Sequence, residues 1–256
     1  MIKKLTTTVC LLASSMAMAE SIEFTVAESE AYQGYARLQH QHLQLVGQIK
    51  DIQVTTNVDR KAYADGDSAL SAELMLAKTW SPRLYTLTRI AMATDNTLFS
   101  NNSLYNDIGF KMLQGKGITT DLNFGVGTRE FPVGQEAFVA FGPTFSFNTV
   151  GVWIRREQSL DGGGYRHTAS AVWYPISTLR LETAILDEQR EKYILPTQGI
   201  AAAKISGQRY NLKATYQFTA QLAGLVGIEK LEQKRDDLNM ITYAPKTLSV
   251  GVIHSF

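Results

Sequence analysis

Cysteine is almost absent from the 256 residues, and neither sign of charge prevails, with 25 basic against 24 acidic side chains. Each scarcity excludes something. The single cysteine, Cys10, can form no intramolecular disulfide, so the chain is not a disulfide-stapled secreted domain. A balanced charge does not favour a polyanionic partner such as nucleic acid. Long apolar runs are also missing. Beyond residue 19 the longest stretch of apolar residues and glycine is Leu222 to Ile228, whereas a membrane helix needs about 20 residues. With 45% hydrophobic and 19% charged residues, the chain is not a disordered polyelectrolyte either.

The N-terminus reads as an export address. Lys3 and Lys4 precede an apolar stretch, Val9-Cys10-Leu11-Leu12-Ala13, and then Ala17-Met18-Ala19 supplies the small-x-small pattern of signal-peptidase cleavage. Residues 1–19 are therefore expected to be a signal peptide, and 20–256 the exported domain. Cys10 leaves with the signal peptide, and it lies too far from the end of the apolar region to be a lipoprotein anchor.

What the remaining chain does have is alternation. Near the C-terminus Leu248, Val250, Val252 and Phe256 share one parity, interrupted by His254, while Ser249, Gly251 and Ser255 hold the other. A period of two puts the sets on opposite faces of a strand. The same pattern recurs in Leu122-Phe124-Val126 against Asp121, Asn123 and Gly125, and in Tyr210-Leu212-Ala214 against Arg209, Asn211 and Lys213. Candidate strands fall near 21–30, 41–49, 52–63, 69–80, 83–95, 102–113, 118–131, 135–147, 149–158, 165–174, 178–191, 204–218, 221–234 and 246–256. Tight turns such as Lys50-Asp51, Ser81-Pro82 and Asn148 interleave with longer loops at 64–68, 96–101, 159–164, 192–203 and 235–245.

Short turns on one rim and long loops on the other predict an all-β, transmembrane, up-and-down antiparallel β-barrel of about fourteen strands, with twelve as the alternative count. An even number places both termini on the short-turn, periplasmic side of a Gram-negative outer membrane. A soluble β-sandwich also alternates, but its strands are satisfied by five or six residues. The segments here are about twice that length, and aromatics at their ends (Trp80, Tyr85, Tyr105, Phe131, Phe147, Trp173, Tyr174, Phe218, Phe256) suit interfacial girdles. No internal repeat, low-complexity stretch or domain boundary is evident.

Lys78-Thr79-Trp80 through Ile90-Ala91-Met92-Ala93-Thr94-Asp95-Asn96, the strand carrying Asp107-Ile108, and Gly142-Pro143 resemble the YaiO family of small outer-membrane β-barrels. The similarity is densest over residues 70–175. The resemblance implies a barrel in the outer membrane and no settled activity, with relatives near or fused to polysaccharide-related proteins. No tetratricopeptide-like helical repeat precedes the barrel here.

Chemistry is expected on the polar face. Charges on that parity are Lys61, Arg89, Lys111, Arg129, Arg155, Arg166, Arg180, Arg190, Arg209 and Lys213, with Glu23, Asp59, Glu73, Asp95, Asp107, Asp121, Glu136, Glu157, Glu182, Glu188 and Glu229. Arg89, Asp107, Lys111, Asp121, Arg129, Arg155, Arg166, Arg180, Glu182, Arg209 and Lys213 are the predicted lining of a narrow polar passage for small hydrophilic solutes, saccharide among them. Acid dominates strands one to eight and base dominates nine to twelve, which predicts a lumen with walls of opposite sign. The competing role for these charges is to cross-link neighbouring strands.

No enzyme, cofactor or metal is predicted. His40-x-His42 puts two rings on one side of a strand, with no third ligand evident nearby. His167 and Ser170 are three apart and face opposite sides, so they form no local dyad, and His254 falls at an outward girdle position. A rim hydrolase would need His167 grouped with acids from adjacent strands. Asp65-Gly66-Asp67-Ser68 lacks the full calcium-loop ligand set, and Asp161-Gly162-Gly163-Gly164 lacks the Lys-Ser/Thr of a phosphate loop. Arg155-Arg156 is split by the pleat and makes no patch for nucleic acid. A non-conducting accessory barrel in exopolysaccharide traffic is the other alternative. Expected partners are the lipid bilayer, lipopolysaccharide and the barrel-insertion machinery, the last reading the terminal Phe256.

Overall fold

The computed structural model describes residues 19–30, 37–63, 68–94, 102–115, 117–131, 134–161, 164–195, 200–235 and 240–256. Residues 1–18 of the expected signal peptide, Asp65-Gly66-Asp67 and Asp95 lie outside these. The described residues contain strands and turns only. They run β1 (Ala19–Ser29), β2 (Leu38–Ile49), β3 (Ile52–Tyr63), β4 (Ser68–Ser81), β5 (Leu84–Ala93), β6 (Asn102–Gly115), β7 (Ile118–Phe131), β8 (Gly134–Phe147), β9 (Val150–Ser159), β10 (Tyr165–Ile176), β11 (Leu179–Leu195), β12 (Ile200–Gln217), β13 (Leu222–Arg235), β14 (Met240–Tyr243) and β15 (Lys246–Ser255).

Fourteen of these close a ring. Neighbours in sequence pair antiparallel from β1 to β13, β15 pairs with β13, and β1 pairs with β15 from Ser21↔Ser255 to Ser29↔Thr247. The remaining strand, β14, adds four residues to the end of β13 through Gln233↔Tyr243 and Arg235↔Met240. The expected fourteen-strand barrel is therefore the fold, and twelve strands is not. Both chain ends of the barrel lie on the tight-turn rim, where the Phe256 amide donates to Glu20 O at 3.0 Å.

Two loops are shorter than the sequence pattern predicts. Strands β11 and β12 reach Leu195 and Ile200, well into the expected loop 192–203, and β14 occupies part of 235–245. Adding ladder bonds to an existing hairpin needs no new hydrophobic face, so these extensions leave little alternation to read. At the other rim, two of the turns rest on residues of positive φ, Lys50 at 55° and Asn148 at 45°, the geometry that matches the twist of flanking strands in a tight hairpin.

Parity divides the faces as the alternation demands. Phe24, Ile108, Phe124, Ile154, Leu212, Val226 and Val250 are exposed outward, and so are the rim aromatics Trp80, Phe147, Trp173 and Phe218. Tyr85 and Tyr105 depart from the expected girdle. Both turn inward and lie flat on glycines: a β-carbon on Gly109 would sit 2.0 Å from the Tyr85 ring, and one on Gly125 would sit 2.3 Å from the Tyr105 hydroxyl. Tyr105 also stacks on Phe138 at 5.8 Å, making a small buried aromatic cluster against the inner wall. The glycines are needed because only a bare backbone lets a ring approach so closely.

Gly109→Ala is expected to displace Tyr85 and destabilise the barrel by about 1–3 kcal/mol, read as a lowered urea midpoint for loss of the heat-modifiable form. Adding Tyr85→Ala to that variant should cost less than the sum of the two single changes; full additivity would mean that the ring and the glycine do not share a site.

Candidate functional site

The inner face carries a lattice of charges drawn from six consecutive strands, β6 to β11, in which some contacts join direct neighbours and others span the strands between. Arg155 of β9 is almost fully buried and donates from Nη1 to Asp107 Oδ2 of β6 at 2.9 Å, spanning β7 and β8. Its Nε lies 3.5 Å from Glu157, two residues along the same strand and therefore on the same face. Glu157 is the centre of the lattice, because Arg129 of β7 hydrogen-bonds to it and Arg166 of β10 approaches it at 3.6 Å. Arg129 then reaches Glu136 at 3.8 Å, and Arg166 reaches Glu188 at 3.0 Å. Four carboxylates thus meet three guanidinium groups. Their apolar sides are used too: Arg129 lies 4.0 Å over the Phe138 ring and Arg155 lies 4.7 Å over Tyr105. Arginine suits these positions because its planar fork can pair with several carboxylates while stacking on a ring.

The remaining predicted residues surround this centre. Asp121 and Asn123 accept hydrogen bonds from the Tyr85 hydroxyl at 3.3 and 2.6 Å. Lys213 on β12 reaches Glu23 on β1 at 3.0 Å, again across intervening strands. Arg89 approaches Glu73 at 3.4 Å, Arg180 approaches Glu182 at 3.2 Å, and Arg209 approaches Glu229 at 3.7 Å. Arg180 and Arg209 are each 46% exposed, so they present charge to the interior space. Lys111 is half-buried on the inner parity of β6, just before a bulge between Lys111 and Leu113 that leaves Met112 and Leu113 both exposed. The side chain of Arg190 lies outside the described residues. Where the acidic and basic sectors adjoin, direct contacts join them, Asp107 with Arg155 and Glu23 with Lys213.

Toward the tight-turn rim a cavity of about 340 Å³ opens below the lattice, lined by Thr144, Trp153, Ser170, Arg180, Glu182 and Asn211 among others. An indole, a guanidinium, a carboxylate and several hydroxyl or amide groups converge there. That set offers an apolar face beside donors and acceptors in the manner of small-ligand sites.

The histidines need one correction. His40 and His42 do have a third potential ligand: Asp59 Oδ1 lies 2.7 Å from His40 Nε2 and 2.8 Å from His42 Nδ1. The tight turn at Lys50-Asp51 already determines this, since a two-residue hairpin fixes the register that brings His42 opposite Asp59. The contact joins residues seventeen apart in the chain, so local spacing does not display it. His167 points outward, 3.9 Å from Asp187 and with its ring tilted against that of Tyr165 at 4.8 Å, whereas Ser170 lies on the inner face. The grouping asked of a rim hydrolase thus has its acid, with the nearby serine on the other side of the wall. His254 is outward, packed on Phe256 at 4.9 Å.

Neither a protein-family model nor a curated protein matches the sequence. Solved structures do match. The outer membrane protein OprD from Pseudomonas aeruginosa superposes with a TM-score of 0.54 at 6% identity, covering 93% of each chain. The NanC porin gives 0.49 at 10% identity over 92% of this chain and 100% of that one. A KdgM porin in complex with disordered oligogalacturonate gives 0.48 at 8% identity over 92% and 99%. The OprD match shows a shared fold, the closed antiparallel β-barrel.

Asp107→Asn should leave the buried Arg155 guanidinium short of one countercharge while Glu157 remains beside it. The expected loss is about 1–3 kcal/mol of stability, measured as the urea midpoint of the heat-modifiable form. Asp187→Asn, on the exposed outer pair with His167, should leave that midpoint unchanged.

Proposed function

We propose that the chain is a non-enzymatic outer-membrane barrel that provides a narrow polar passage for small hydrophilic solutes, with saccharides as the favoured class. The observation that carries this reading is the inner face itself. It carries most of the charged side chains of the barrel strands, it holds a cavity of about 340 Å³, and it sits inside a ring of fourteen strands. Barrels of about eight strands are filled by side chains and those of sixteen or more hold an aqueous channel, so this ring belongs to the narrow intermediate. Trp153 beside Arg180, Glu182 and Asn211 supports a hydroxyl-rich solute, since an indole can stack on a sugar face while the polar groups bond its hydroxyls. The outward belt of large apolar side chains supports placement in a bilayer, with lipopolysaccharide against the long-loop rim. Export by the sequence at 1–19, and membership of the YaiO family, rest on the sequence alone. In this reading the exposed terminal Phe256 is the signal that the insertion machinery reads.

A second reading is favoured by one observation, the network of ion pairs that joins inward charges from β6 to β11 along the wall: a barrel whose interior charges are spent on one another would act as a non-conducting accessory in exopolysaccharide traffic. Planar-bilayer recording separates the two. Discrete current steps from the purified barrel support the passage, and silence at every voltage and salt concentration supports the accessory.

Two expected outcomes test placement and path. Leu212→Arg, on the exposed outer face, should cost about 2–4 kcal/mol if it meets mid-bilayer hydrocarbon, whereas Ser170→Arg, facing the cavity, should cost little. Equal effects in a lipid-vesicle unfolding titration would exclude embedding. Arg180→Glu with Arg209→Glu should move the reversal potential in a salt gradient toward cation preference. An unchanged potential in a conducting barrel would remove these arginines from the path.

A further inference from the structure

We propose that His40, His42 and Asp59 form a binding site for a divalent transition-metal ion of the zinc class in the inner wall of the barrel, near the long-loop rim. Backbone geometry builds the site before any metal arrives. His40 and His42 are two apart on β2 and share its inner face, and the β2–β3 register sets His42 opposite Asp59 and His40 opposite Lys61. The three candidate ligand atoms all lie within 4.8 Å of one another. The imidazole rings are 6.3 Å apart and inclined at 62°, so their nitrogens converge on Asp59 from different directions instead of stacking. All three side chains are partly buried, which limits their rotamers while leaving one side open to the interior for a fourth ligand such as water. Two imidazoles with one carboxylate favour zinc, nickel or copper over calcium or magnesium, which prefer all-oxygen sites.

The change on binding is small and balances. Without metal, a single Asp59 oxygen accepts an N–H from each ring, so His40 carries its contact proton on Nε2 and His42 on Nδ1. Coordination through those same nitrogens needs their lone pairs. Each neutral ring therefore gives up that proton through water and takes one at its other nitrogen, with no net change in protons bound. Tetrahedral bonds of about 2.1 Å would set ligand atoms about 3.4 Å apart, so the present 2.7 and 2.8 Å contacts must open by roughly 0.6 Å, within reach of rotation about the Asp59 side chain. Charge around the site is mixed. Lys61 faces it from β3, while Glu23 on β1 and its partner Lys213 lie on the His42 side.

The test uses the full chain, untagged, refolded in detergent micelles and checked for heat-modifiability. Titration with Co²⁺, followed by the visible absorption of a four-coordinate ion and by competition with Zn²⁺, should give one equivalent per chain. His42→Asn and Asp59→Asn should each weaken binding at least about tenfold, and His167→Asn and His254→Asn should leave it unchanged. Absence of saturable binding to the wild type, or full binding by His42→Asn, overturns the proposal. Should the ligand variants fail to refold, wild-type barrels treated with diethyl pyrocarbonate decide: Zn²⁺ should protect His40 and His42 from modification while His167 and His254 still react. Protection of neither overturns the site. Because binding is read in micelles, these results are independent of whether the barrel conducts.

Discussion

The sheet closes on itself, and most of the structure depends on that closure. Pairing of β1 with β15, together with the β12–β13 and β13–β15 ladders, gives every barrel strand two neighbours and leaves no edge. A closed ring gives each side chain only two destinations, outward or inward, so a slip of one residue anywhere would exchange the two faces. The tight turns with positive φ at Lys50 and Asn148 matter for this reason, since they hold the registers of the β2–β3 and β8–β9 hairpins. The bulge beside Lys111 marks the opposite case. There the alternation lapses, and two successive large apolar residues are exposed at the rim.

Closure also sets the size of the interior, and size explains the charge lattice. Fourteen strands enclose a space too wide for side chains to fill from one wall, yet narrow enough for long ones from separate strands to meet. Arginine and glutamate have that reach. A buried arginine without a counterion would be strongly unfavourable, and the lattice answers this by sharing: Glu157 serves Arg129, Arg155 and Arg166 at once, and flat aromatic surfaces cover the guanidinium faces. Tyr85, Tyr105 and Phe138 can lie against the wall because Gly109, Gly125 and Gly127 make room beneath them. Charge and bare backbone are thus two parts of one packing solution.

Alternation made the strands legible, and most observed boundaries fall within three residues of those read from the sequence. Parity likewise placed Arg155, Glu157 and their partners on one face. Pairing between strands three apart in the ring is not legible, because nothing local links Asp107 to Arg155 or Glu23 to Lys213, which are 48 and 190 residues apart. Tyr85 and Tyr105 were read as girdle residues because aromatics at strand ends suit either face; their inward direction shows only once the glycines they cover are known. The Asp59 partnership with His40 and His42 is a different kind of omission. The hairpin register that creates it was available from a two-residue turn, and counting back along both strands would have reached it.

The vertical order of the interior bears on what a passage through it would ask of a solute. From the long-loop rim inward, the wall presents the lattice centred on Glu157 and then the cavity beside Trp153 and Arg180. A charged solute crossing the lattice would have to exchange places with an existing ion pair, leaving a buried Arg155 or Asp107 unmatched, and that cost is large in a partly desolvated space. A neutral, hydroxyl-rich solute can replace bonds one at a time, donating to a carboxylate and accepting from a guanidinium without separating full charges. On the transport reading, the lattice would therefore discriminate by charge and the cavity by shape. The paired lumen then becomes compatible with passage of neutral polar molecules even where ions pass poorly.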